Sequence, residues 1–118
     1  MEELGACAEL EPFALQVLGD SMEPEFPDQC IVIVEPAARV ADGTYVMALV
    51  EGVRWFRQYR RDAAGERLVA LNDLYPEIPL AGLDWKVEGL IVQRNLPRDR
   101  ERGIRRNVKK YKYAAVGQ

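Results

Sequence analysis

The chain has 118 residues, 48% hydrophobic and 30% charged, so it is long enough to bury one core and too apolar to be wholly disordered. No uncharged run reaches the roughly 18 apolar residues that a membrane span needs, and the acidic N-terminus lacks the basic region of a secretory signal. Two cysteines and no histidine argue against a disulfide framework and a metal site, so we predict a single cytoplasmic domain without metal or cofactor.

Six segments are rich in β-branched or aromatic residues and are separated by turn signals, which predicts strands rather than helices. In chain order they are residues 13–19, 30–36, 44–52, 53–61, 67–72 and 85–95. Short strands at this spacing are typical of a mostly β domain, either a compact barrel or a coiled sheet. The predicted division is an N-terminal arm, a body and a basic tail, at residues 1–11, 12–97 and 98–118.

The segment VLGDSMEPEF contains Ser21, the only serine of the chain. The segment is short, acidic and interrupted by proline, which predicts one short helical turn with Asp20 or Ser21 near its N-terminus. Two interpretations of the hydroxyl stay open. It is either the cap of this turn or a nucleophile.

A nucleophile in this chain needs an unusual base, because no histidine is present to activate it. The remaining general solution is a lysine whose amine is kept neutral by burial. Lys86 is the only lysine of the body; the other three are Lys109, Lys110 and Lys112 in the tail.

The third and fourth predicted strands are joined only by Glu51 and Gly52, which predicts a tight hairpin with residues near 48 opposite residues near 55. Alternation along the fourth strand places Val53, Trp55 and Arg57 on one face and Arg54, Phe56 and Gln58 on the other. Neither face is purely polar.

The tail differs in charge from the body. Residues 1–97 carry 8 basic and 17 acidic side chains, whereas residues 98–118 carry 8 basic and 2 acidic ones. Its lysines, with Tyr111 and Tyr113 among them, can contact nucleic acid or an acidic partner. Alternatively, the tail is solvated and partly disordered, or it folds back onto the acidic body.

Four segments, taken together, resemble the LexA-like (S24) self-cleaving serine peptidases over residues 12 to 95. LQVLGDSMEPEFPDQCIVIVEP resembles the nucleophile turn with its flanking strands, and ADGTYVMALVEGVRWFRQYRR resembles the hairpin that follows. LVALNDLYPEIPL is similar to the next strand and its Asn-containing loop, and WKVEGLIVQRN to the closing strand. The resemblance implies the compact coiled β-sheet or barrel of the LexA and signal-peptidase type.

The resemblance also implies a site. Ser21 matches the nucleophile, the backbone N–H of Met22 is the natural oxyanion donor, and the general-base lysine is expected where this chain has Arg57. A guanidinium stays protonated near neutral pH and cannot serve as that base. Arg57 can instead hold a carboxylate, such as that of Asp20 or of an acidic peptide, or hydrogen-bond the serine and leave it inert.

Two departures from the family pattern bear on function. The usual Asp-Gly-Asp turn is replaced by Asp28, Gln29 and Cys30, and we expect Cys30 to begin a buried strand rather than to act as a reactive thiol. Only about 12 residues precede the first predicted strand, and they lack the cleavable Ala-Gly or Cys-Gly dipeptide of family repressors. We therefore expect no DNA-binding domain and a closer similarity to stand-alone members such as the SOS mutagenesis accessory subunit, which dimerise.

Two hypotheses follow. The first is a degenerate peptidase that acts as a homodimer or by binding a peptide or protein, in SOS or phage-type regulation. The second is an active self-cleaving serine peptidase that uses Ser21 with a non-standard base. Nucleic-acid binding is predicted only through the tail, and membrane binding is not predicted.

Overall fold

The computed structural model describes residues 11–96 and 107–113. The described residues form eight strands and no helix. The strands are β1 (Phe13–Gln16), β2 (Ile31–Pro36), β3 (Tyr45–Val50), β4 (Val53–Asp62), β5 (Gly65–Val69), β6 (Ile78–Pro79), β7 (Trp85–Leu96) and β8 (Asn107–Lys110). The mostly β fold class predicted from the sequence is confirmed.

The strands form one antiparallel sheet in the order β1-β2-β7-β3-β4-β5-β6, with β8 pairing β7 beside this path. β1 and β6 lie at the two ends of this order and do not pair each other, so the described strands form an open sheet rather than a closed barrel. The long strand β7 joins its two halves, pairing β3 with its first part and β2 with its second. Gly89 lies on β7 where this strand pairs both β2 and β3. Only glycine fits there, because a Cβ would lie 2.5 Å from Val34 Cγ1.

Hydrophobic residues on the two faces of the coiled sheet form two core clusters. The first core cluster comprises Val17, Met22, Phe26, Cys30, Val32, Val34 and Ile91, and the second comprises Val46, Ala48, Val50, Tyr59, Leu68, Leu80 and Val87. The hairpin contributes to both, because Phe56 packs against the first cluster and Trp55 against the second. The different clusters that Trp55 and Phe56 contact agree with the predicted placement of these two side chains on opposite faces of β4.

The β3–β4 hairpin has the predicted register, with Ala48 opposite Trp55. Its turn residues Glu51 and Gly52 have φ values of 50° and 84°, as the tight turn between two twisted strands requires. The hairpin fixes the position of Arg57, five residues after the turn on β4.

Six of the eight strands correspond to predicted segments, and two were missed. The missed strands are β6, which has only two residues, and β8, which lies in the basic tail. The predicted helical turn at Ser21 is a series of hydrogen-bonded turns. One of them, from Phe26 N–H to Met22 O at 2.9 Å, has the spacing of an α-helix without extending into one.

The described part of the tail lies against the body around Glu25. The Glu25 carboxylate accepts hydrogen bonds from Lys109 Nζ at 2.6 Å and from the Tyr111 hydroxyl at 2.7 Å. Arg94 donates to the Glu25 carbonyl oxygen at 2.7 Å, and its NH1 lies 3.6 Å from the carboxylate. The Tyr111 ring packs against Phe26 of the first core cluster. We call Glu25, Arg94, Lys109 and Tyr111 the Glu25 cluster.

Candidate functional site

The turn that carries Ser21 is anchored by its apolar residues. Met22 and Phe26 are fully buried in the first core cluster, so the turn cannot move without exposing them. The Ser21 side chain is half-buried. Packing of its neighbour Met22 in the core therefore limits the movement of the segment that carries the hydroxyl.

The loop after β5 braces the same turn. The backbone N–H of Asn72 donates to the carbonyl oxygen of Ser21 at 3.0 Å. The Asn72 side-chain amide donates to the backbone carbonyl oxygen of Asp20 at 3.2 Å. The Tyr75 hydroxyl donates to the Asp20 carboxylate at 2.5 Å, and this bond to a charged acceptor raises the pKa of Tyr75. The resemblance identified this segment as the Asn-containing loop of the family but did not assign Asn72 or Tyr75 to the site, so both were missed as neighbours of Ser21.

Arg57 lies directly beside Ser21. Its NH1 donates to Ser21 Oγ at 3.0 Å and to its neighbour's carbonyl oxygen, Phe56 O, at 2.8 Å. Of the two contacts expected for this guanidinium, the one with the serine is present, while the Asp20 carboxylate is engaged by Tyr75 instead. The hydroxyl does not cap the turn, since its partner comes from β4.

The Arg57 guanidinium is buried without a counter-ion among the described residues. The residue is 8% exposed, and its Nε is buried with no hydrogen-bond partner. It lies over the Trp55 ring at 5.0 Å and 5.9 Å from the Tyr75 ring centroid, contacts that partly replace lost solvation. Burial lowers the pKa of Arg57 from its ordinary value, which is the direction expected for a cation removed from water.

A groove opens beside these two residues. It has a volume of about 380 Å³ and is lined by residues 15–18 of the first strand and the segment after it, by residues 54–57 of β4, and by Ser21 and Met47. A second cavity of about 420 Å³, lined mainly by apolar side chains, continues from it and shares Leu15, Met47 and Arg54. Ser21 thus lines a groove that adjoins a second, largely apolar cavity.

The lysines whose side chains the structure places do not lie at Ser21. Lys86 is exposed on β7, where it lines a different cavity with Gly52 and Asp84. Lys109 binds the Glu25 carboxylate in the cluster described above. Among the described residues, Ser21 accepts hydrogen bonds from the Arg57 guanidinium and from the backbone of Asn72, and from no lysine amine.

The other predicted site residues have clear positions. Met22, the predicted oxyanion donor, directly follows Ser21 and is fully buried in the first core cluster, and its N–H makes no hydrogen bond with another described residue. Cys30 is fully buried just before β2, and burial raises the pKa of its thiol, which agrees with a packing role. Gln29 adopts φ 73° where the family turn usually has glycine.

Within the described ranges, no group of three or more His, Cys, Asp or Glu side chains is arranged to hold a metal ion. The same ranges contain no helix long and apolar enough to cross a membrane.

Comparison with known proteins identifies the family. A family model described as Peptidase S24-like matches residues 6–92. The chain is also 33% identical over 96 residues to repressor protein C2 of Salmonella phage P22, an alignment that covers 76% of this chain and 44% of the repressor. The chain thus spans less than half the length of this relative. These matches confirm the resemblance that the segment around Ser21 indicated, and the chain belongs to the Peptidase S24-like family.

Proposed function

We propose that this chain is a degenerate member of its family, a pseudopeptidase that acts by binding a peptide or protein segment in the groove beside Ser21. The observation that carries the proposal is the hydrogen bond from Arg57 NH1 to Ser21 Oγ at 3.0 Å. It places a permanent cation where the family resemblance implies a neutral amine.

The polarity of this hydrogen bond opposes catalysis. A general base must accept the proton of the serine hydroxyl, so it needs a lone pair directed at Oγ. A guanidinium has only donors, and Arg57 uses one of them on that oxygen. Burial lowers the pKa of Arg57, but an arginine starts so far above neutrality that it remains charged.

The neighbours of Ser21 offer no replacement base. The nearby Asp20 carboxylate accepts a hydrogen bond from Tyr75, and the Tyr75 pKa is raised, which opposes loss of its own proton. Lys86, the amine of the body, lines another cavity. These contacts support a binding role for the serine over a nucleophilic one.

The biological setting we propose is regulatory. The similarity to a phage repressor supports a place in phage-type or SOS regulation in the cytoplasm, and the resemblance to stand-alone family members supports homodimerisation. Sedimentation equilibrium tests the latter, since a dimer has twice the 13.4 kDa mass of the chain.

Active-site labelling tests the pseudopeptidase proposal. Wild type incubated with a fluorophosphonate probe from neutral to alkaline pH should neither label nor cleave itself, because nothing removes the Ser21 proton. Arg57→Lys supplies an amine at the same position and is the matched gain-of-function variant, with Ser21→Ala in that background as its control. Labelling of wild type that disappears in Ser21→Ala would establish the alternative, an active peptidase with a non-standard base.

A further inference from the structure

The groove beside Ser21 lies between two strand edges that have no strand partner among the described residues. β1 pairs only with β2, and β4 pairs with β5 only from Gln58 onward, which leaves residues 53–57 with one free edge. An extended peptide can add a strand to such an edge through main-chain hydrogen bonds. The apolar lining from Leu15, Met47 and Phe56 can receive side chains of that peptide.

The groove has a direction and an end. Four successive antiparallel pairings connect β1 to β4 through β2, β7 and β3, so β1 and β4 run the same way. The apolar cavity lies toward the beginnings of both strands, and Arg57 lies where the free edge of β4 stops. A peptide running parallel to the two strands would therefore place its C-terminus at Arg57.

The chemistry at this end suits a carboxylate. Arg57 is 8% exposed and has no acidic partner among the described residues; its NH1 binds Ser21 and Phe56, and its Nε is buried without a hydrogen-bond partner. Ser21 Oγ accepts from Arg57, so its own O–H remains free to donate to a second acceptor. A carboxylate between them would receive charge-assisted hydrogen bonds and neutralise a buried cation.

We propose that the groove binds the free C-terminus of an extended peptide, with the terminal carboxylate held by Arg57 and the hydroxyl of Ser21. This inference rests on the proposed binding function of the groove and names its ligand. The apolar side chains of the peptide lie toward Leu15 and Met47, and the two strand edges supply main-chain partners. Ser21 is retained as a hydrogen-bond donor rather than as a nucleophile.

The test uses three short peptides on the full chain: acetyl-Ala-Val-Ala-Val as the free acid, the same peptide as its C-terminal amide, and acetyl-Ala-Glu-Ala-Val amide. Binding is followed by titration of the protein's ¹⁵N-labelled arginine Nε–H and backbone signals. We expect the free acid to bind about tenfold or more tightly than its amide and to shift the Arg57 Nε–H signal. Arg57→Met should abolish this preference. Arg60→Met is the matched control, because Arg60 lies on the same strand, is already paired with Asp42 and does not line the groove.

Each other outcome overturns the proposal in a recognisable way. Equal binding of acid and amide would leave a peptide groove without a carboxylate anchor. Equal binding of the free acid and the peptide with an internal Glu would assign the site to an acidic side chain instead. Failure of all three peptides to bind would reject the inference and the peptide-binding function together, whereas fluorophosphonate labelling reports separately on whether Ser21 is a nucleophile.

Discussion

Two arginines among the described residues, Arg57 and Arg94, are largely buried, and they differ in what surrounds them. The Arg94 side chain, 11% exposed, lies 3.6 Å from the Glu25 carboxylate, which also binds Lys109 and Tyr111. Arg57, at 8% exposed, has a serine hydroxyl, a carbonyl oxygen and two aromatic rings around it, and no carboxylate of the described residues.

The difference separates a structural cation from a cation available to a ligand. A buried charge is costly unless an opposite charge compensates it, and the Glu25 cluster supplies that compensation within the fold. At Arg57 the compensation is incomplete, and an open groove leads to the guanidinium. The sheet thus carries one ion cluster that fastens the tail and one cation that can still accept an anion.

The largest expected effect comes from removing the Glu25 carboxylate, which lies near Arg94 and has no counterpart among the described residues at Arg57. Glu25→Gln removes the carboxylate that lies 3.6 Å from Arg94 and weakens the bonds from Lys109 and Tyr111. We expect a loss of about 3 kcal/mol in the free energy of unfolding, at the lower end for breaking a buried pair because Glu25 is partly exposed. Urea unfolding measures it, and Glu35→Gln, an exposed carboxylate of the same charge, is the control.

Acid titration sharpens the same prediction. Burial alone would raise the pKa of Glu25, but the hydrogen bonds from Lys109 and Tyr111 and the nearby charges of Lys109 and Arg94 lower it below the ordinary 4.5. A depressed folded-state pKa stabilises the fold above the unfolded-state value, and the contribution is lost as pH falls through the folded-state pKa. The stability difference between wild type and Glu25→Gln should therefore be full above the ordinary pKa of 4.5 and shrink as the pH falls below it. A difference independent of pH would mean that the charge of Glu25 does not hold the cluster.

A smaller effect is expected when the two arginines themselves are replaced. Arg94→Met should cost about 2 kcal/mol because it takes a cation from the Glu25 carboxylate, while Arg57→Met should change stability by about 1 kcal/mol or less. In the latter, lost hydrogen bonds to Ser21 and Phe56 are offset by removing an uncompensated buried charge. Thermal and urea unfolding of both variants measure the contrast. A cost at Arg57 equal to that at Arg94 would show that the fold already compensates the guanidinium.

Much of the sheet was predictable because its signals are local. The Glu51–Gly52 turn fixed both the hairpin and its register, and alternation along β4 assigned Trp55 and Phe56 to different faces. The strand β8 was not predictable in the same way. Its residues lie in a run of cations, and its position depends on partners such as Glu25, 84 residues from Lys109.

The site was predictable in part for the same reason. The resemblance placed Ser21 and Arg57 in the same site, but the residues alone allowed either Asp20 or the serine as the partner of the arginine. Tyr75 decides between them by binding the Asp20 carboxylate from a loop 55 residues away. No local pattern in NDLYPEIP indicates that contact, so only the tertiary structure reveals that no carboxylate of the described residues pairs with the guanidinium.

The smallest expected effect comes from Gln29, at the end of the loop that carries both Ser21 and Glu25. A substitution there tests whether the carboxylate preference at Arg57 depends on its contacts or on the rigidity of this loop. Gln29 has φ 73°, a conformation in which glycine is less strained, so Gln29→Gly should stabilise the protein by about 0.5 to 1 kcal/mol. Glu51→Gly, at φ 50°, is the matched comparison and should gain less, since the Glu51 carboxylate accepts a hydrogen bond from Asp84 N–H at 2.6 Å. If partners alone distinguish the two arginines, Gln29→Gly should raise the unfolding midpoint and leave the preference for a free C-terminal carboxylate unchanged. If the preference for the free acid over the amide rose together with stability, the rigidity of the turn rather than the contacts of Arg57 would be its cause.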